Sequence, residues 1–535
     1  MRAREKRGPV TAPVPTASDD PRAALWAWLA NPRNYEAAGP VRRIDTQGAV
    51  VFLAGADAYK VRRPIRLPFL DYSTLEKRRA ASEAEIALNR ESAPGIYLGA
   101  VPITRQGESF AFGGSGEIVE WATHMRRFDE NATLDRLAER GELGSALIDD
   151  LAKVIHAAHQ RAPLRPAAPA IRSLESWLDQ NEAAFAALSD LFAPERAAEL
   201  TRHARAELEA LRPLLLARGD LGFVRRCHGD LHLRNIAVID GRPVPFDAIE
   251  FDDAISTGDL LYDLAFAIMD LWERDLRSQA NRLLSGYLAQ GGEDAFSGLA
   301  ALPFFLSLRA AIRAKVEAAN LSHLRGDALA RTIAAARRYF DFAIRLLNPS
   351  PARLVAIGGL SGAGKSALAA TLAPAIGRAP GAIWLRSDVE RKHMFGEAET
   401  TRLPDSAYGA EASRETYARL ARKAERALRA GCAVILDAVQ SRAFEREAAA
   451  HIAADAGVDF TGLWLEAPLT ERERRVGSRV GDASDADARV VAAQRAEPLR
   501  EAGWSALDAG GVLATTVEEA TAVVASEAKR SRLEL

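Results

Sequence analysis

The chain has 535 residues, more than one domain usually holds, so we expect two or three folding units. Hydrophobic residues make up 48% and charged residues 27%, which is ordinary for a globular protein with enough apolar material for several cores. The formal net charge is -2, from 70 basic and 72 acidic residues. This balance removes any global electrostatic case for binding nucleic acid or an anionic membrane.

Two features bear on where the protein works. The cysteines, Cys227 and Cys432, stand far apart, so we expect buried free thiols in a reducing cytoplasm rather than disulfides or a cysteine metal cluster. Residues 1–20 are basic and then rich in Pro, Ala, Thr and Ser, which predicts a disordered tail without an apolar signal core. No apolar run of membrane length is expected, and we predict a cytoplasmic protein.

The first structured segments predict a small sheet and a helix. Apolar runs at 48–55 and 58–64 indicate a β-hairpin whose second strand carries Lys60. The following segment is helical, and its acidic residues Glu83 and Glu85 lie on different helical faces because they are two positions apart.

Longer helices are predicted after this sheet. They cover residues 146–160 and 173–191, where apolar residues recur at helical spacing. His156 and His159 lie on the first of them. We expect packing or surface histidines, because no cysteine or acidic partner stands at metal-ligand spacing in the sequence.

Residues 228–235 read His-Gly-Asp-Leu-His-Leu-Arg-Asn, and Asp247 follows two short predicted strands. Phosphoryl transfer from ATP needs a carboxylate at the attacking hydroxyl, oxygen ligands for Mg²⁺ and cations on the phosphates. Asp230 fits the first role, and Asn235 and Asp247 supply hard oxygen ligands for the metal. We therefore predict a phosphotransferase site that uses ATP and Mg²⁺.

This motif resembles the aminoglycoside phosphotransferase and choline kinase branch of the protein-kinase-like fold, in which the metal-binding Asp need not be followed by Phe-Gly. The resemblance implies a bilobal α+β domain in which Lys60 holds the α and β phosphates. It also implies a carboxylate partner for Lys60 on the next helix. We choose Glu85 because residues 85–90 resemble a family stretch, with Glu83 as the alternative.

Further along, residues 255–266 also resemble this branch. Asp259 and Asp263 are expected to be structural, binding the backbone of residues 228–235, which we call the catalytic loop, and capping a helix. The chain is predicted to be helical from residue 270 to residue 347. Arg309, Arg313 and Lys315 are expected to lie on a solvated face of one of these helices.

A second motif follows residues 348–353, whose two prolines predict a linker. A buried-type strand at 354–358 runs into G-x-x-x-x-G-K-S and an alanine-rich helix. Backbone N–H groups of such a loop surround phosphates, while Lys365 reaches the β and γ phosphates and Ser366 binds Mg²⁺. The predicted nucleotide loop comprises Gly359, Leu360, Ser361, Gly362, Ala363, Gly364, Lys365 and Ser366.

The rest of this segment resembles the small P-loop kinases, which include gluconate kinases, polynucleotide 5′-kinases and zeta toxins. Asp388 and Arg391 match the acid that approaches the acceptor hydroxyl and the arginine that holds substrate, and Asp388 could also cap a helix. Asp437 ends an apolar strand and looks like the acid that contacts the magnesium shell or the substrate arginine.

A basic lid is predicted after residue 470. A lid arginine can neutralise charge on the transferred phosphoryl group. Arg475 and Arg479 are the predicted catalytic arginines, although helical spacing does not separate them from Arg472.

These observations predict an α/β multidomain chain, which resembles bacterial fusions of an aminoglycoside phosphotransferase-like domain with a P-loop, zeta-toxin-like kinase domain whose parallel sheet is flanked by helices. The predicted segments are a disordered tail (1–20), a protein-kinase-like domain (21–347), a linker (348–353), a P-loop kinase domain (354–525) and a polar tail (526–535).

The predicted function is a bifunctional transfer of the γ-phosphate of ATP to hydroxyl groups of sugars, amino alcohols, aminoglycoside-like molecules or nucleosides. One alternative is a nucleotide-sensing binding protein with one degenerate kinase domain. Another is a nucleic-acid 5′-end kinase, with Arg386, Arg391, Lys392 and His393 on the phosphate backbone. The near-neutral charge disfavours nucleic acid, no membrane partner is expected, and the sequence leaves the oligomeric state open.

Overall fold

The computed structural model of the chain describes residues 22–36, 39–67, 70–319, 321, 324–348, 350–479 and 482–533. The chain divides into two compact units, Met1–Thr133 with Val244–Ser256 and Leu134–Pro243 with Thr257–Leu535. The tail predicted at 1–20 lies outside the described residues. The predicted domain bounds stay a prediction.

The first unit is built on an antiparallel sheet whose strand order is β1-β2-β3-β8-β6-β7. Its elements are α1 (Ala23–Ala30), β1 (Arg42–Asp45), β2 (Ala49–Ala54), β3 (Asp57–Arg62), β4 (Arg66–Leu67), β5 (Leu70–Asp71), α2 (Leu75–Asn89), β6 (Tyr97–Gln106), β7 (Ser109–Phe112) and β8 (Glu117–Arg126). Alternate apolar residues such as Val50 and Phe52 pack with Trp26 and Leu29 of α1. The predicted hairpin is confirmed as β2–β3, and the register sets Lys60 between Val51 and Thr123.

The second unit begins with helices, interrupted by short strands. These elements are α3 (Leu134–Glu139), α4 (Ser145–Arg161), α5 (Ala167–Ala187), α6 (Pro194–Asp220), β9 (Val224–Arg226), β10 (Ile236–Ile239), β11 (Arg242–Pro245), α7 (Asp253–Ser256), β12 (Thr257–Asp259), α8 (Leu260–Glu273), α9 (Arg277–Gln290), α10 (Leu302–Ala319) and α11 (Gly326–Leu346). Residues 244–256 of this run belong to the first unit. The helical character predicted for residues 270–347 is confirmed.

One segment corrects an expectation. Glu293–Ala319, a 3₁₀ turn followed by α10, is long and apolar enough to cross a membrane, with a mean hydropathy of 1.6. The sequence was expected to contain no such run. The segment is 72% buried inside the chain, as a core helix of a globular domain is.

The remainder of the second unit is a parallel sheet with strand order β14-β15-β13-β16-β17. Its elements are β13 (Arg353–Gly359), α12 (Lys365–Leu372), β14 (Ile383–Arg386), α13 (Ser387–Met394), α14 (Ala410–Arg429), β15 (Val434–Asp437), α15 (Ala443–Ala456), β16 (Asp459–Glu466), α16 (Leu469–Gly477), α17 (Ala488–Ala493), β17 (Trp504–Asp508) and α18 (Leu513–Leu533). Alternation along β13 sends Leu354 and Ala356 into one core and Val355 and Ile357 into the other. Both faces are buried, as expected of a parallel sheet.

Helix α9 covers the outer edge of this sheet at β14. The Nδ2 atom of Asn281 donates to the carbonyl oxygens of Pro380 (3.1 Å) and Ala382 (2.8 Å). The hydroxyl of Ser285 accepts from the backbone N–H of Trp384 at 3.2 Å. Edge strands expose unpaired backbone groups, and natural sheets cover or blunt them. The helical part of the second unit therefore completes the P-loop sheet.

We predict that Asn281→Ala lowers the free energy of unfolding of the second unit by about 1–3 kcal/mol, because two buried carbonyl oxygens lose their donor. Urea denaturation followed by tryptophan fluorescence measures this change. Ser278→Ala, at an exposed position of the same helix, is the matched control. Equal effects of the two substitutions would show that α9 does not hold the sheet edge.

Candidate active sites

In the first unit, Lys60 lies between two carboxylates. Its Nζ atom donates to Glu85 Oε1 and to Asp247 Oδ1, each at 2.7 Å. Glu85 is fully buried, whereas Glu83 is exposed and pairs with Arg79 at 2.9 Å. The structure therefore places Glu85 on Lys60, as expected, and directs Glu83 to solvent.

Glu85 also binds a second cation. Its Oε2 atom accepts from Arg62 at 2.8 Å and from the Thr123 hydroxyl at 3.0 Å. Burial alone would lower the pKa of Lys60, but the charges of Asp247 and Glu85 hold it well above its ordinary value. Burial alone would raise the pKa of Glu85, but the charges of Lys60 and Arg62 hold it below its ordinary value. Lys60, Arg62 and Glu85 are therefore all charged at neutral pH.

Asp247 adopts a strained backbone conformation. Its φ is +61°, a left-handed value that non-glycine residues rarely adopt. Its N–H donates to the Tyr97 hydroxyl at 3.0 Å, and the next N–H, of Ala248, donates to Asn89 Oδ1 at 2.8 Å. These bonds hold the turn, and the Asp247 side chain remains 45% exposed and able to take a further ligand.

In the second unit, the catalytic loop brings Asp230 and Asn235 together. Asn235 Nδ2 donates to the backbone oxygen and to Oδ2 of Asp230, both at 3.0 Å. Burial would raise the pKa of Asp230, yet the charge and hydrogen bond of His232 lower it below its ordinary value. Asp230 is therefore a carboxylate at neutral pH, which is the form that accepts a proton.

Two aspartates of helix α8 accept hydrogen bonds from the backbone of this loop. Asp263 Oδ1 accepts from the N–H of Gly229 at 2.8 Å, and Asp270 Oδ2 accepts from the N–H of Leu233 at 3.0 Å. The structural role predicted for Asp263 is confirmed. Asp259 caps α8 by accepting from the N–H of Leu261, so the predicted cap is also confirmed.

Arg309 corrects the expectation of a solvated face. It is 5% exposed, lies 3.9 Å from the centre of the Tyr262 ring, and donates to the carbonyl oxygen of Gly229 at 3.3 Å. The i,i+4 spacing of Arg309 and Arg313 says that they share a face, but not which face is buried. Arg309 is thus part of the loop's support.

His159 was expected to lack metal-ligand partners, and the fold supplies them. Ligand atoms of His159, Cys227 and Asp263 lie within 4.8 Å of one another, and all three residues are buried. His159 Nε2 contacts Asp263 Oδ2 at 3.1 Å, and its Nδ1 contacts the Tyr287 hydroxyl at 2.9 Å. These hydrogen bonds account for both ring nitrogens, so we assign the cluster to support of the catalytic loop.

The P-loop connects β13 to α12, whose first residue is Lys365. Gly362 has φ +86°, and a Cβ atom there would lie 2.6 Å from the backbone oxygen of Arg472, so glycine is required. The Ser361 N–H donates to Gln494 Oε1 at 2.8 Å. Gln494 lies far away in the sequence, and no sequence signal pointed to it.

The charged residues predicted for the P-loop site lie close enough together for their charges to interact. Lys365, Arg386 and Ser366 all act to lower the pKa of Asp437, and the register of β14 and β15 pairs Asp437 with Arg386. Burial lowers the pKa of Lys365, against the charges of Asp437 and Asp388. Burial raises the pKa of Asp437. Asp388 is the second residue of α13, so it is not the N-cap.

The three arginines predicted as catalytic take different positions. Arg391 donates to the Ala407 carbonyl oxygen at 2.6 Å and is 7% exposed. Arg475 donates to the P-loop carbonyl oxygen of Ala363 at 3.2 Å, whereas Arg479 lies 3.5 Å from Asp482. The structure thus distinguishes the two lid arginines by their contacts: Arg475 touches the P-loop and Arg479 pairs with Asp482. Helical spacing alone did not distinguish them.

A cavity of about 280 Å³ adjoins the P-loop on the lid side. Its wall includes Gly364, Ala367, Arg475, Gly511 and Thr516. It opens where α12 begins, beside the glycines of the loop.

Comparison with known proteins agrees with this geometry. Residues 111–302 match the phosphotransferase enzyme family, and residues 354–498 match an AAA domain. The chain joins a phosphotransferase-family domain to a P-loop kinase domain. The predicted protein-kinase-like and P-loop folds are confirmed, and the enzyme is a kinase by class.

The similarity to a curated relative runs through both domains. An uncharacterized protein of Mycobacterium tuberculosis (strain ATCC 25618 / H37Rv) is 29% identical over 468 residues, covering 86% of this chain and 90% of the relative. A choline/ethanolamine kinase family protein from Mesorhizobium loti is 16% identical, covering 62% of this chain and 99% of its own, with a TM-score of 0.36. A gluconokinase from Sinorhizobium meliloti 1021 is 20% identical, covering 35% and 99%, with a TM-score of 0.26.

We predict that Glu85→Gln lowers the free energy of unfolding of the first unit by about 3–5 kcal/mol, because the buried Arg62 and the half-buried Lys60 lose their counter-charge. Glu83→Gln, which removes an exposed ion pair with Arg79, should change it by less than about 0.5 kcal/mol. Urea denaturation of both variants measures the difference. A milder effect at position 85 than at position 83 would refute the assignment.

The pH profile tests the state of Asp230. Because its pKa in the folded chain is below the ordinary value of about 3.9, the carboxylate stays ionised above that pH. We predict that kcat/KM for ADP release, measured in a Lys365→Ala background between pH 5 and 8, shows no acid limb from Asp230. An ionisation in that range that disappears in Asp230→Asn would contradict the prediction.

Proposed function

We propose that the chain has two Mg-ATP sites, one in each domain, and that each transfers the γ-phosphate to a hydroxyl group of a small molecule. The observation that carries the proposal is that each domain holds a half-buried lysine close to carboxylates, and that these residues belong to the two sequence motifs of phosphoryl transfer. The bound Mg²⁺ would neutralise charge developing on the phosphates.

The first site would use the groups of the protein-kinase-like domain. Glu85 fixes the position of Lys60, and the nearby carboxylates keep the lysine protonated. In this form Lys60 would bind the α and β phosphates. Asn235 and Asp247 offer the hard oxygen ligands that Mg²⁺ prefers. Asp230, ionised at neutral pH, orients the acceptor hydroxyl and takes its proton.

The second site would use the P-loop domain. The loop amides and Lys365 hold the phosphates at the start of α12, and Ser366 with Asp437 binds the metal. The adjoining cavity, which Arg475 borders, is the proposed position of the nucleobase. Asp388 and Arg391 lie on α13, the helix that follows β14, and would approach the acceptor from there.

Small hydroxylated acceptors fit both domains better than nucleic acid does. The chain carries a net charge of -2, and the acidic residues Asp388 and Asp437 lie in the second site. Both features would repel a phosphate backbone. We therefore propose sugars, amino alcohols or nucleosides as the acceptor class.

Single-site variants test the proposal with a panel of such acceptors. Asp230→Asn should lower acceptor-dependent ADP release at the first site about 10²–10⁴-fold, because the proton acceptor is lost. Lys365→Ala should abolish release at the second site alone. Each acceptor of the panel should therefore lose turnover in one variant and keep it in the other.

Serine 278 again offers a control, since Ser278→Ala changes an exposed position outside both sites. ATP that stays intact with every acceptor would show a binding protein instead of an enzyme. Loss of all turnover in either single variant would contradict two separate sites.

A further inference from the structure

Two arginines of the P-loop domain converge on one carboxylate. Arg386, at the end of β14, donates through Nη2 to Asp482 Oδ1 at 3.3 Å. Arg479, just after α16, places its Nε 3.5 Å from Asp482 Oδ2. Asp482 thus joins the strand that leads to Asp388 to the lid.

Asp482 satisfies these guanidinium groups incompletely. Charge-assisted N–H···O⁻ bonds are typically about 2.7–2.9 Å long, so both contacts are loose. Among the described residues, Arg386 Nε and Arg479 Nη1 are buried and have no hydrogen-bond partner. A carboxylate offers two oxygens and one negative charge, whereas a phosphoryl group offers three oxygens and more charge. A phosphoryl group would therefore satisfy Arg386 and Arg479 better than the Asp482 carboxylate does.

The arginine pair lies near Lys365, the P-loop lysine. The charges of both Arg479 and Asp482 act on the Lys365 ammonium group. The lid helix also packs on the loop, since the backbone oxygen of Arg472 lies 2.6 Å from the position of a Cβ atom on Gly362. A γ-phosphate held by Lys365 would therefore face Arg386 and Arg479.

We propose that the Asp482 carboxylate occupies, between Arg386 and Arg479, the position that the γ-phosphoryl group of a nucleotide takes in the P-loop site. The inference rests on the proposed function of the P-loop domain. Entry of the γ-phosphate displaces the Asp482 carboxylate, which turns towards solvent, where its side chain is already 31% exposed. Asp482 therefore opposes γ-phosphate binding until the nucleotide replaces it.

The test compares two nucleotides that differ in the γ-phosphate. MgADP and the Mg²⁺ complex of AMP-PNP are titrated into the full chain by calorimetry, and binding that Lys365→Ala abolishes is assigned to the P-loop site. Asp482→Asn removes the competing charge but keeps the side-chain shape. We expect the AMP-PNP Kd to fall about tenfold, which is about 1.4 kcal/mol, and the ADP Kd to change less than twofold.

Two further variants sharpen the test. Asp487→Asn is the matched control, because Asp487 lies in the same lid segment but pairs at 3.2 Å with Arg402, which is 66% exposed. It should change neither Kd. Arg386→Ala combined with Asp482→Asn should cancel the tighter binding of AMP-PNP.

The outcomes separate the two levels of the proposal. Weaker AMP-PNP binding in Asp482→Asn, or an equal change for both nucleotides, would overturn the inference while the P-loop site stands. If the unmodified chain shows no binding that depends on Lys365, the proposed function of this domain fails, and the inference fails with it.

Discussion

Glu85 carries a full charge where water does not reach, and the first unit is arranged to satisfy it. Leaving a buried carboxylate without its partner costs about 3–5 kcal/mol, so the residue needs cations at close range. Lys60 and Arg62, two positions apart on β3, supply them from the same face of the strand. Their other partners are Asp247 and Glu250, three positions apart in the chain. One ion network therefore fixes the lysine and also the turn that carries Asp247.

In the second unit, two consecutive helices play the corresponding part. Asp263 and Asp270, two turns apart on α8, accept from the backbone of the catalytic loop. Asn281 and Ser285, one turn apart on α9, bind the backbone around β14. The helices therefore connect the loop that carries Asp230 with the strand that leads to Asp388. This packing connects the two segments through side-chain hydrogen bonds as well as through the covalent chain.

The sequence was sufficient where function is encoded locally. The P-loop, its strand and its helix were predictable because loop glycines, Lys365 and Ser366 are contiguous. The choice of Glu85 over Glu83 came from the family resemblance, since spacing said only that the two lie on different faces.

Residues that act through long-range packing were not predictable. Spacing along α10 does not show that Arg309 faces the catalytic loop, because burial depends on which helices pack there. Gln494 reaches the P-loop from 133 positions away in the chain. The cover of β14 by α9 likewise depends on tertiary contacts, for which hydrophobic periodicity carries no information.

Lys60 and Lys365 differ in how far protein carboxylates compensate for the loss of hydration of their charge. Lys60 keeps its charge through protein carboxylates, and its pKa lies well above the ordinary value. Lys365 is half-buried, but its pKa is lowered, because the charges of Asp437 and Asp388 compensate only in part for its removal from water. A triphosphate beside Lys365 would add the missing negative charge and favour the protonated amine. Protein carboxylates thus outweigh the effect of burial on Lys60, whereas at Lys365 they leave room for the charge of a phosphate group.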